Sequence, residues 1–241
     1  MDHTICPGAK LIRAPKPESL VCPSCGAEVE IWSDEMRAAC PSCKQYVMRK
    51  GFGSCLDWCK MGKECVGMDV YDRYMKQRTG LVRSSIIEEM EAFFGADEKR
   101  IAHAKNILNY AEELLKQEQG DWNIVVPAAI LHDVGIKIAE EKYGSAKGAY
   151  QEQEGPPVAR KILLKIGLRM DAIDQICEII AHHHSPGTID TLNFRILYDA
   201  DCLVNVREDV ESRSREERQR IIDRTFLTPA GKALAQRLFV R

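Results

Sequence analysis

The chain has little net charge and no long run of apolar residues. Its 34 Lys+Arg and 36 Asp+Glu give a net charge of −2. The chain therefore has no overall basic field that would favour nucleic acid, and the charge does not support nucleic acid as a partner. No stretch approaches the ~20 apolar residues of a membrane span, and the first residues hold no apolar core typical of a signal peptide. We therefore expect a cytoplasmic protein that does not contact a membrane.

Cysteine, by contrast, is abundant and unevenly distributed. Eight of the ten cysteines fall within residues 6–65, and only Cys177 and Cys202 lie beyond them. In a reducing compartment such clustering favours metal binding over disulfides. The asymmetry predicts two domains, a cysteine-rich metal-binding module at residues 1–80 and a second domain at residues 84–241.

Two Cys-Pro-Ser-Cys motifs, at residues 22–25 and 40–43, are separated by 14 residues. Paired CxxC motifs at this distance are typical of a tetrahedral four-thiolate zinc site, as in zinc ribbons. The residues between them include Glu28–Trp32, whose alternation of polar and apolar residues predicts a strand. We expect a structural zinc ion that replaces a core too small to form alone, bound by Cys22, Cys25, Cys40 and Cys43.

Four more cysteines occur in the same region, namely Cys6, Cys55, Cys59 and Cys65. The four-residue step between Cys55 and Cys59 would place them on one helix face. The four thiols could hold a second zinc ion or an iron–sulfur cluster, but their spacing matches none of the common ferredoxin patterns. The alternative is that they are buried thiols that fill a core.

From residue 84 onward the pattern predicts an all-α domain of about six to eight helices. Ser85 is a predicted N-cap, with Glu88 completing a capping box, and Asp97 opens a long amphipathic helix that ends at Gly120. The polar segment from Glu208 to Arg220 is predicted to be exposed.

Prolines mark three further helix starts in this domain. A third helix is predicted from Ile124 to about Val134, with Pro127 in its first turn, where proline is tolerated. Gly155-Pro156-Pro157 is predicted to start another helix, which ends at Gly167. Thr228 followed by Pro229 is the expected start of the last helix.

Histidines and aspartates interrupt the apolar faces or ends of four of these predicted helices. His103 lies on the long helix, and His132-Asp133 ends the next. Three consecutive histidines, at residues 182–184, end a helix with apolar positions at Ile173, Ile176, Ile179 and Ile180. Asp199 and Asp201 lie within an otherwise apolar helix. Each has an ordinary structural explanation alone, but buried acids are rare without a partner. Together such groups can converge on a metal ion inside a helical bundle.

The order His103 … His132-Asp133 … Asp201 resembles the H…HD…D signature of the HD-domain metal-dependent phosphohydrolase superfamily. The flanks are similar too, including the apolar run before His132 and the Ala-Asp-x-Leu pattern at residues 200–203. The resemblance covers roughly residues 84–241. It implies an all-α HD-domain helical bundle, preceded here by the small zinc-ribbon-like module. It also implies one divalent ion (Mn, Fe, Mg, Co or Ni) bound by His103, His132, Asp133 and Asp201.

Some relatives in this superfamily hold two ions and use additional histidines. His183 or His184 resembles one of these ligands, and Glu154 or Glu152 stands where the other histidine would be expected, so a second ion remains an open possibility. The family's lysine after the HD pair is displaced by one position, to Lys137.

The resemblance implies hydrolysis of a phosphate ester, either a monoester or a diester of a nucleotide or other small molecule, by a metal-activated water. Asp133 would orient the water, while His183 and Lys137 would neutralise charge on the phosphate. Two alternatives stay open: a di-iron oxygenase, and a non-catalytic nucleotide or metal sensor with a zinc-ribbon interaction module. The sequence indicates neither the substrate nor the oligomeric state.

Overall fold

The computed structural model describes residues 12, 14–48, 54–57, 59–207, 210 and 212–240. The chain divides into two compact units, Met1–Val82 and Arg83–Arg241. The division falls within one continuous helix, whereas the sequence predicted a break near Ser85. Each unit is described by itself below.

The first unit contains two short antiparallel hairpins. One joins β1 (Pro17–Val21) to β2 (Glu28–Trp32), and the other joins β3 (Arg37–Ala39) to β4 (Tyr46–Met48). The strand predicted at Glu28–Trp32 is confirmed: Val29 and Ile31 are buried while their neighbours are exposed, because side chains alternate between the two faces of a strand.

The buried cluster shared by these hairpins is very small. It consists of Cys22, Val29, Cys40 and Val47, with four partly buried residues against it. Two of its four buried members are thus cysteines from the CxxC motifs. A short 3₁₀ turn (Cys55–Asp57) and α1 (Gly62–Val66) follow along the chain.

Nine further helices are described. They are α2 (Met68–Phe94), α3 (Glu98–Leu114), α4 (Trp122–Leu131), α5 (Gly135–Tyr143), α6 (Gly148–Ile166), α7 (Met170–Ile180), α8 (Leu192–Asn205), α9 (Arg215–Thr225) and α10 (Pro229–Phe239). Among the described residues of the second unit, which begins within α2, the regular elements are all helices, as the sequence predicted.

Two predicted helix starts are confirmed by their caps. The side chain of Asp97 accepts a hydrogen bond from the backbone N–H of Arg100 at the start of α3. Thr228 accepts one from the N–H of Gly231 at the start of α10, with Pro229 in the first turn. Such caps satisfy backbone donors that have no partner within the helix.

Other predicted boundaries were wrong. Ser85 lies inside α2, and α3 ends at Leu114 rather than at Gly120. In both cases local polar or glycine residues suggested a boundary that the helix does not follow. The segment predicted to be exposed is exposed at residues 212–217 and also contains the start of α9, where Ser214 and Glu217 form a capping box.

Prolines also lie deeper in helices than the sequence predicted. Pro127 is the sixth residue of α4 rather than part of its first turn, and α6 begins at Gly148, well before Gly155-Pro156-Pro157. A Cβ on Gly135 would lie 2.3 Å from the carbonyl oxygen of Gln151, and one on Gly155 would lie 2.8 Å from Ile180. Close packing of α5, α6 and α7 therefore holds α6 helical through this sequence.

Helix α4 is the centre of the second unit. It is buried from Ile124 through Leu131 and packs against α3, α7 and α8. The segment Trp122–Tyr143 is long and apolar enough to cross a membrane by length and composition alone, but most of it is buried within the protein. Such burial is typical of a core helix, and the residues that follow Leu131 are buried as well.

Candidate metal centres

Four helices bring histidine and aspartate side chains to one place in the second unit. His103 lies on α3, His132 and Asp133 directly follow α4, and Asp201 lies on α8. His183, three residues after the end of α7, joins the same group, with Nε2 at 3.6 Å from Asp133 Oδ1. The residues at the end of the buried helix α4 therefore face side chains from α3, from α8 and from the segment after α7.

The ligand atoms lie at distances suited to a shared ion. Asp133 Oδ2 lies 3.2 Å from His132 Nε2 and 3.4 Å from His103 Nε2. Asp201 Oδ1 lies 4.0 Å and 3.8 Å from the same two nitrogens. Two ligands bound about 2.1 Å from one ion are separated by about 3.0 Å when adjacent and about 4.2 Å when opposite. His103, His132 and Asp133 therefore form one group of candidate ligands for an ion, and Asp201 lies outside that group but within 4.0 Å of its two ring nitrogens.

Two buried ring nitrogens provide an independent test of this fit. His132 Nδ1 lies 2.9 Å from the carbonyl oxygen of Ala129, and His183 Nδ1 lies 2.7 Å from that of Ile180. A carbonyl only accepts, so each Nδ1 donates, and in the neutral ring, which is the form that binds a metal, each Nε2 carries the lone pair. Within the described part of the chain both Nε2 atoms are buried and make no hydrogen bond. Unsatisfied lone pairs directed at carboxylates are what a metal ion requires.

Asp133 belongs to two groups of candidate ligands at once. It groups with His103 and His132, and separately with His183 and His184, with all ligand atoms of each group within 4.8 Å of one another. Its two oxygens are divided between them: Oδ2 faces His132 and His103, while Oδ1 lies 3.6 Å from His183 Nε2. Asp133 could therefore bridge two ions.

The charges of the site follow from this crowding. Burial raises the pKa of Asp133, but the facing His132 and His183 outweigh it and hold that pKa well below its ordinary value. Burial lowers the pKa of His132, yet the Asp133 carboxylate outweighs burial and raises it. For His103, burial and the neighbouring His132 both lower the pKa.

Two of the predicted site residues are not brought to this group. The Glu154 carboxylate, considered for a second ion, accepts from Lys142 Nζ at 2.6 Å and from the Tyr143 hydroxyl at 2.8 Å. Lys137, expected to contact phosphate, donates from Nζ to the carbonyl oxygen of Phe93 at 3.0 Å. Both side chains are engaged elsewhere, so neither prediction has structural support.

Asp199 illustrates the structural alternative for a buried acid. It accepts hydrogen bonds from the N–H of Leu227 and from the N–H and hydroxyl of Thr228, at 2.7–2.8 Å. Burial nevertheless raises its pKa. Asp199 therefore ties α8 to the turn before α10, whereas Asp201, two residues later, faces the histidines.

The first unit brings the CxxC cysteines into one four-sulfur cluster, with Cys22, Cys25, Cys40 and Cys43 within 4.8 Å of one another. The Cys22–Cys43 and Cys25–Cys40 sulfur pairs are both separated by 3.6 Å. Tetrahedral zinc with bonds of about 2.3 Å places its sulfurs about 3.8 Å apart. The geometry fits a zinc-ribbon-like module.

The two CxxC turns have the same backbone design. The N–H of Gly26 donates to the carbonyl of Cys22, and that of Lys44 to the carbonyl of Cys40. Gly26 and Lys44 each lie four residues after the first cysteine and have φ of 75° and 62°. Backbone N–H groups of Cys43 and Ser42 lower the pKa of the Cys40 thiol to about 6, although burial opposes them. The backbone N–H of Ala27 lowers the pKa of Cys25, but the neighbouring thiols outweigh it and raise that pKa, so of the two the thiolate forms first on Cys40.

Only three of the four cysteines of the second predicted site lie within the described residues. Cys6 lies outside the described residues. Among those that are described, Cys55, Cys59 and Cys65 do not belong to any cluster of three candidate ligands. The four-residue step is realised as a turn, in which the N–H of Cys59 donates to the carbonyl of Cys55.

The sequence reasoning missed the residues of α6 that hold the histidine loop. Gln151 contacts the ring of His184, and Glu152 accepts hydrogen bonds from its backbone and from Ser185. Glu152 was considered only as a metal ligand. A signal existed in three consecutive polar residues, 151–153, but the predicted helix start at Gly155 placed them in a loop.

Comparison with known proteins assigns the second unit to a family. Residues 100–206 match the family model of the HD domain. No curated protein matches the chain significantly. Among solved structures it is similar to a predicted HD superfamily hydrolase from an uncultured Thermotogales bacterium, with 23% identity, 63% of this chain and 82% of that chain covered, and a TM-score of 0.47. The family match confirms an HD domain and supports divalent metal binding and hydrolase activity in general terms.

Proposed function

We propose that this HD domain hydrolyses a phosphate ester of a nucleotide, as a phosphomonoesterase or a phosphodiesterase. The observation that carries the proposal is the pair of buried Nε2 atoms, on His132 and His183, that face Asp133 without a hydrogen bond. Burying such groups without a partner is costly, so their retention supports a metal-dependent role.

Each side chain of the histidine–aspartate cluster has its own role in the proposed reaction. His103, His132 and Asp201 would hold the ion, together with Asp133 Oδ2. A divalent ion bound there acidifies a water molecule and polarises a phosphoryl oxygen. Asp133 Oδ1, which lies 3.6 Å from His183 Nε2, would accept a hydrogen bond from that water. His183 Nε2 faces Oδ1 and would either contact the phosphate or hold a second ion.

A polar groove between α3 and α8 supports a nucleotide-sized substrate. Its volume is about 500 Å³, within the range of small-molecule sites. It begins one helical turn after the metal ligands, since Asn106 follows His103 by three residues and Val204 follows Asp201 by three. Its lining offers amides, a phenol and a guanidinium to a base, sugar or second phosphate: Asn106, Asn109, Tyr110, Leu203, Val204 and Arg207.

The proposal is tested by assaying the purified protein with Mn²⁺ on a panel of nucleotides and phosphate esters. We expect His132→Gln to abolish hydrolysis, because it removes a buried ligand. His182→Gln is the matched control and should keep full activity, since His182 belongs to neither ligand group. Failure of the wild type across Mn²⁺, Mg²⁺, Fe²⁺, Co²⁺ and Ni²⁺ would contradict the proposal.

The shared carboxylate of Asp133 also favours a second candidate, a di-iron oxygenase. Two adjoining ligand groups that share one carboxylate, with histidines on both sides, suit a pair of iron ions as well as a hydrolytic pair. An oxygenase would be purified as a coloured protein with two irons and would consume O₂ with its substrate. A sensor, in contrast, would bind nucleotide without turnover with every metal tried.

We propose that the cysteine cluster of the first unit holds zinc in a purely structural role. Four thiolates leave no open position for a substrate, and the buried cluster around them contains only two valines besides cysteine. Reduced cysteines of this kind agree with a cytoplasmic location.

A further inference from the structure

We infer that Gln151 is a positioning residue that fixes which ring nitrogen of His184 can bind an ion, and that this nitrogen is Nδ1. The inference rests on the proposed two-ion form of the HD site. It adds to that form a residue on α6 that is not itself a ligand.

The hydrogen bonds of the Gln151 amide allow only one arrangement of protons. Gln151 Nε2 lies 2.7 Å from the carbonyl oxygen of Ala146, which can only accept, so the amide nitrogen donates there. The amide oxygen therefore faces His184 and lies 3.2 Å from its Nε2. Because this oxygen also only accepts, Nε2 of His184 carries the proton. The lone pair of the His184 ring is then on Nδ1.

The neighbouring histidine is arranged the opposite way. His183 donates from Nδ1 to the carbonyl of Ile180 and presents Nε2 to Asp133. Consecutive side chains leave the backbone in different directions, so they reach a common point most easily through different ring atoms. Presenting Nε2 from His183 and Nδ1 from His184 would allow both rings to share an ion with Asp133, with which they form one group of candidate ligands within 4.8 Å.

Helix α6 holds the His184 ring and backbone by further contacts. Glu152 Oε1 accepts from the N–H of His184 at 3.0 Å, and Oε2 accepts from the Ser185 hydroxyl at 2.9 Å. Gly148 lies against the ring so closely that an added Cβ would be 2.9 Å from His184 Cδ2. A flipped ring would lose the Gln151 contact, so the first turns of α6 select one ring orientation. Such outer contacts orient ligands at metal sites generally.

The tautomer is measured directly by ¹⁵N NMR of the histidine rings, before any Mn²⁺ is added. Mn²⁺ is then titrated by calorimetry into the wild type and two variants. Gln151→Leu removes the acceptor and should weaken the second ion by about 10–100-fold while leaving the first unchanged. Gln151→Glu keeps an acceptor for His184 Nε2 and should retain both ions.

Several outcomes would overturn the inference. These are a wild-type His184 that carries its proton on Nδ1, a wild-type HD site that binds one Mn²⁺ only, or a folded Gln151→Leu protein that binds both ions as tightly as the wild type. The wild-type NMR result stands even if Gln151→Leu does not fold. All these readouts need no substrate, so a protein that binds two ions as expected but hydrolyses nothing contradicts the proposed function alone.

Discussion

The cysteine cluster and the histidine–aspartate cluster are two candidate metal sites with opposite designs. The first has four identical ligands, which close a tetrahedron inside a buried cluster of two cysteines and two valines. The second has mixed ligands, which fit an ion of higher coordination with positions to spare and stand at the end of a fully buried helix. In the cysteine cluster, a bound zinc ion would supply the stability that the small buried cluster does not. In the histidine–aspartate cluster, the buried helices would hold the ligands in position whether or not an ion is bound.

The ligands of the two clusters are also fixed by different means. Tight turns with left-handed residues, Gly26 and Lys44, orient the cysteines through the backbone. Carbonyls of the preceding helical turn orient His132 and His183 through Nδ1. Loss of metal should therefore unfold the first site and leave the second folded but inactive.

The largest effect is expected from Cys40→Ser. Structural zinc sites contribute about 10–16 kcal/mol of binding free energy that is also folding free energy. We expect this variant to lose its zinc and the protection of β1–β4 from hydrogen exchange. The helical unit should unfold thermally as in the wild type. Persistent exchange protection in a zinc-free variant would contradict the structural role.

Asp201→Asn should have the next largest effect, and on activity rather than on folding. A bound ion contributes several kcal/mol to the transition state, so loss of a ligand should lower kcat/KM by about 10³-fold. Thermal unfolding of the metal-free protein should change little, because Asp201 accepts a hydrogen bond from the exposed Asn205 and its ion pairs with His103 and His132 are long, at 3.8 and 4.0 Å. A large drop in Tm would place Asp201 in a structural role instead.

Asp199→Ala, two residues before Asp201, should reduce stability and leave metal binding intact, which is the opposite of the result expected for Asp201→Asn. It leaves the backbone N–H groups of Leu227 and Thr228 without their acceptor, and Thr228 is buried. We expect a loss of about 3 kcal/mol in urea denaturation, with metal binding retained in the folded protein. Asp223→Ala, at an exposed acid of α9, is the matched control and should change stability by less than about 0.5 kcal/mol. Equal effects of the two changes would contradict this role for Asp199.

The smallest effect concerns the two turns of the cysteine module. A Cβ on Gly26 would meet no atom within 4 Å, so Gly26→Ala carries only the strain of a positive φ, about 1 kcal/mol. Zinc affinity should fall about fivefold in competition with a chromogenic chelator. Lys44→Ala, which keeps a non-glycine residue in the equivalent turn, should leave the affinity within about twofold. Indistinguishable affinities would mean that the turns are not strained in this way.

Short-range signals predicted much of this molecule. The zinc-ribbon-like cluster follows from two identical motifs, and Asp97 and Thr228 cap helices where their sequence places them. These features depend on residues within a few positions of one another. The convergence of His103, His132, Asp133 and Asp201 instead came from a resemblance, because spacing alone does not define how four helices pack.

The remaining errors arose where tertiary contacts outweigh local preference. Interior proline costs a helix about 3 kcal/mol, which made Gly155-Pro156-Pro157 a reasonable start. The sequence does not show that Gly135 packs closely against α6. This packing stabilises the helical conformation of α6 at Pro156 and Pro157. The ion pairs of Glu154 and the Lys137–Phe93 contact are likewise products of packing.

The central claim is that the HD domain binds its ion independently of the cysteine module. The most direct test is metal analysis of the full-length wild type, His132→Gln and Cys40→Ser, purified side by side after loading with Zn²⁺ and Mn²⁺. We predict that His132→Gln retains one zinc and loses manganese, while Cys40→Ser loses that zinc and retains manganese. Full manganese content in His132→Gln, or loss of both metals from either folded variant, would contradict the account.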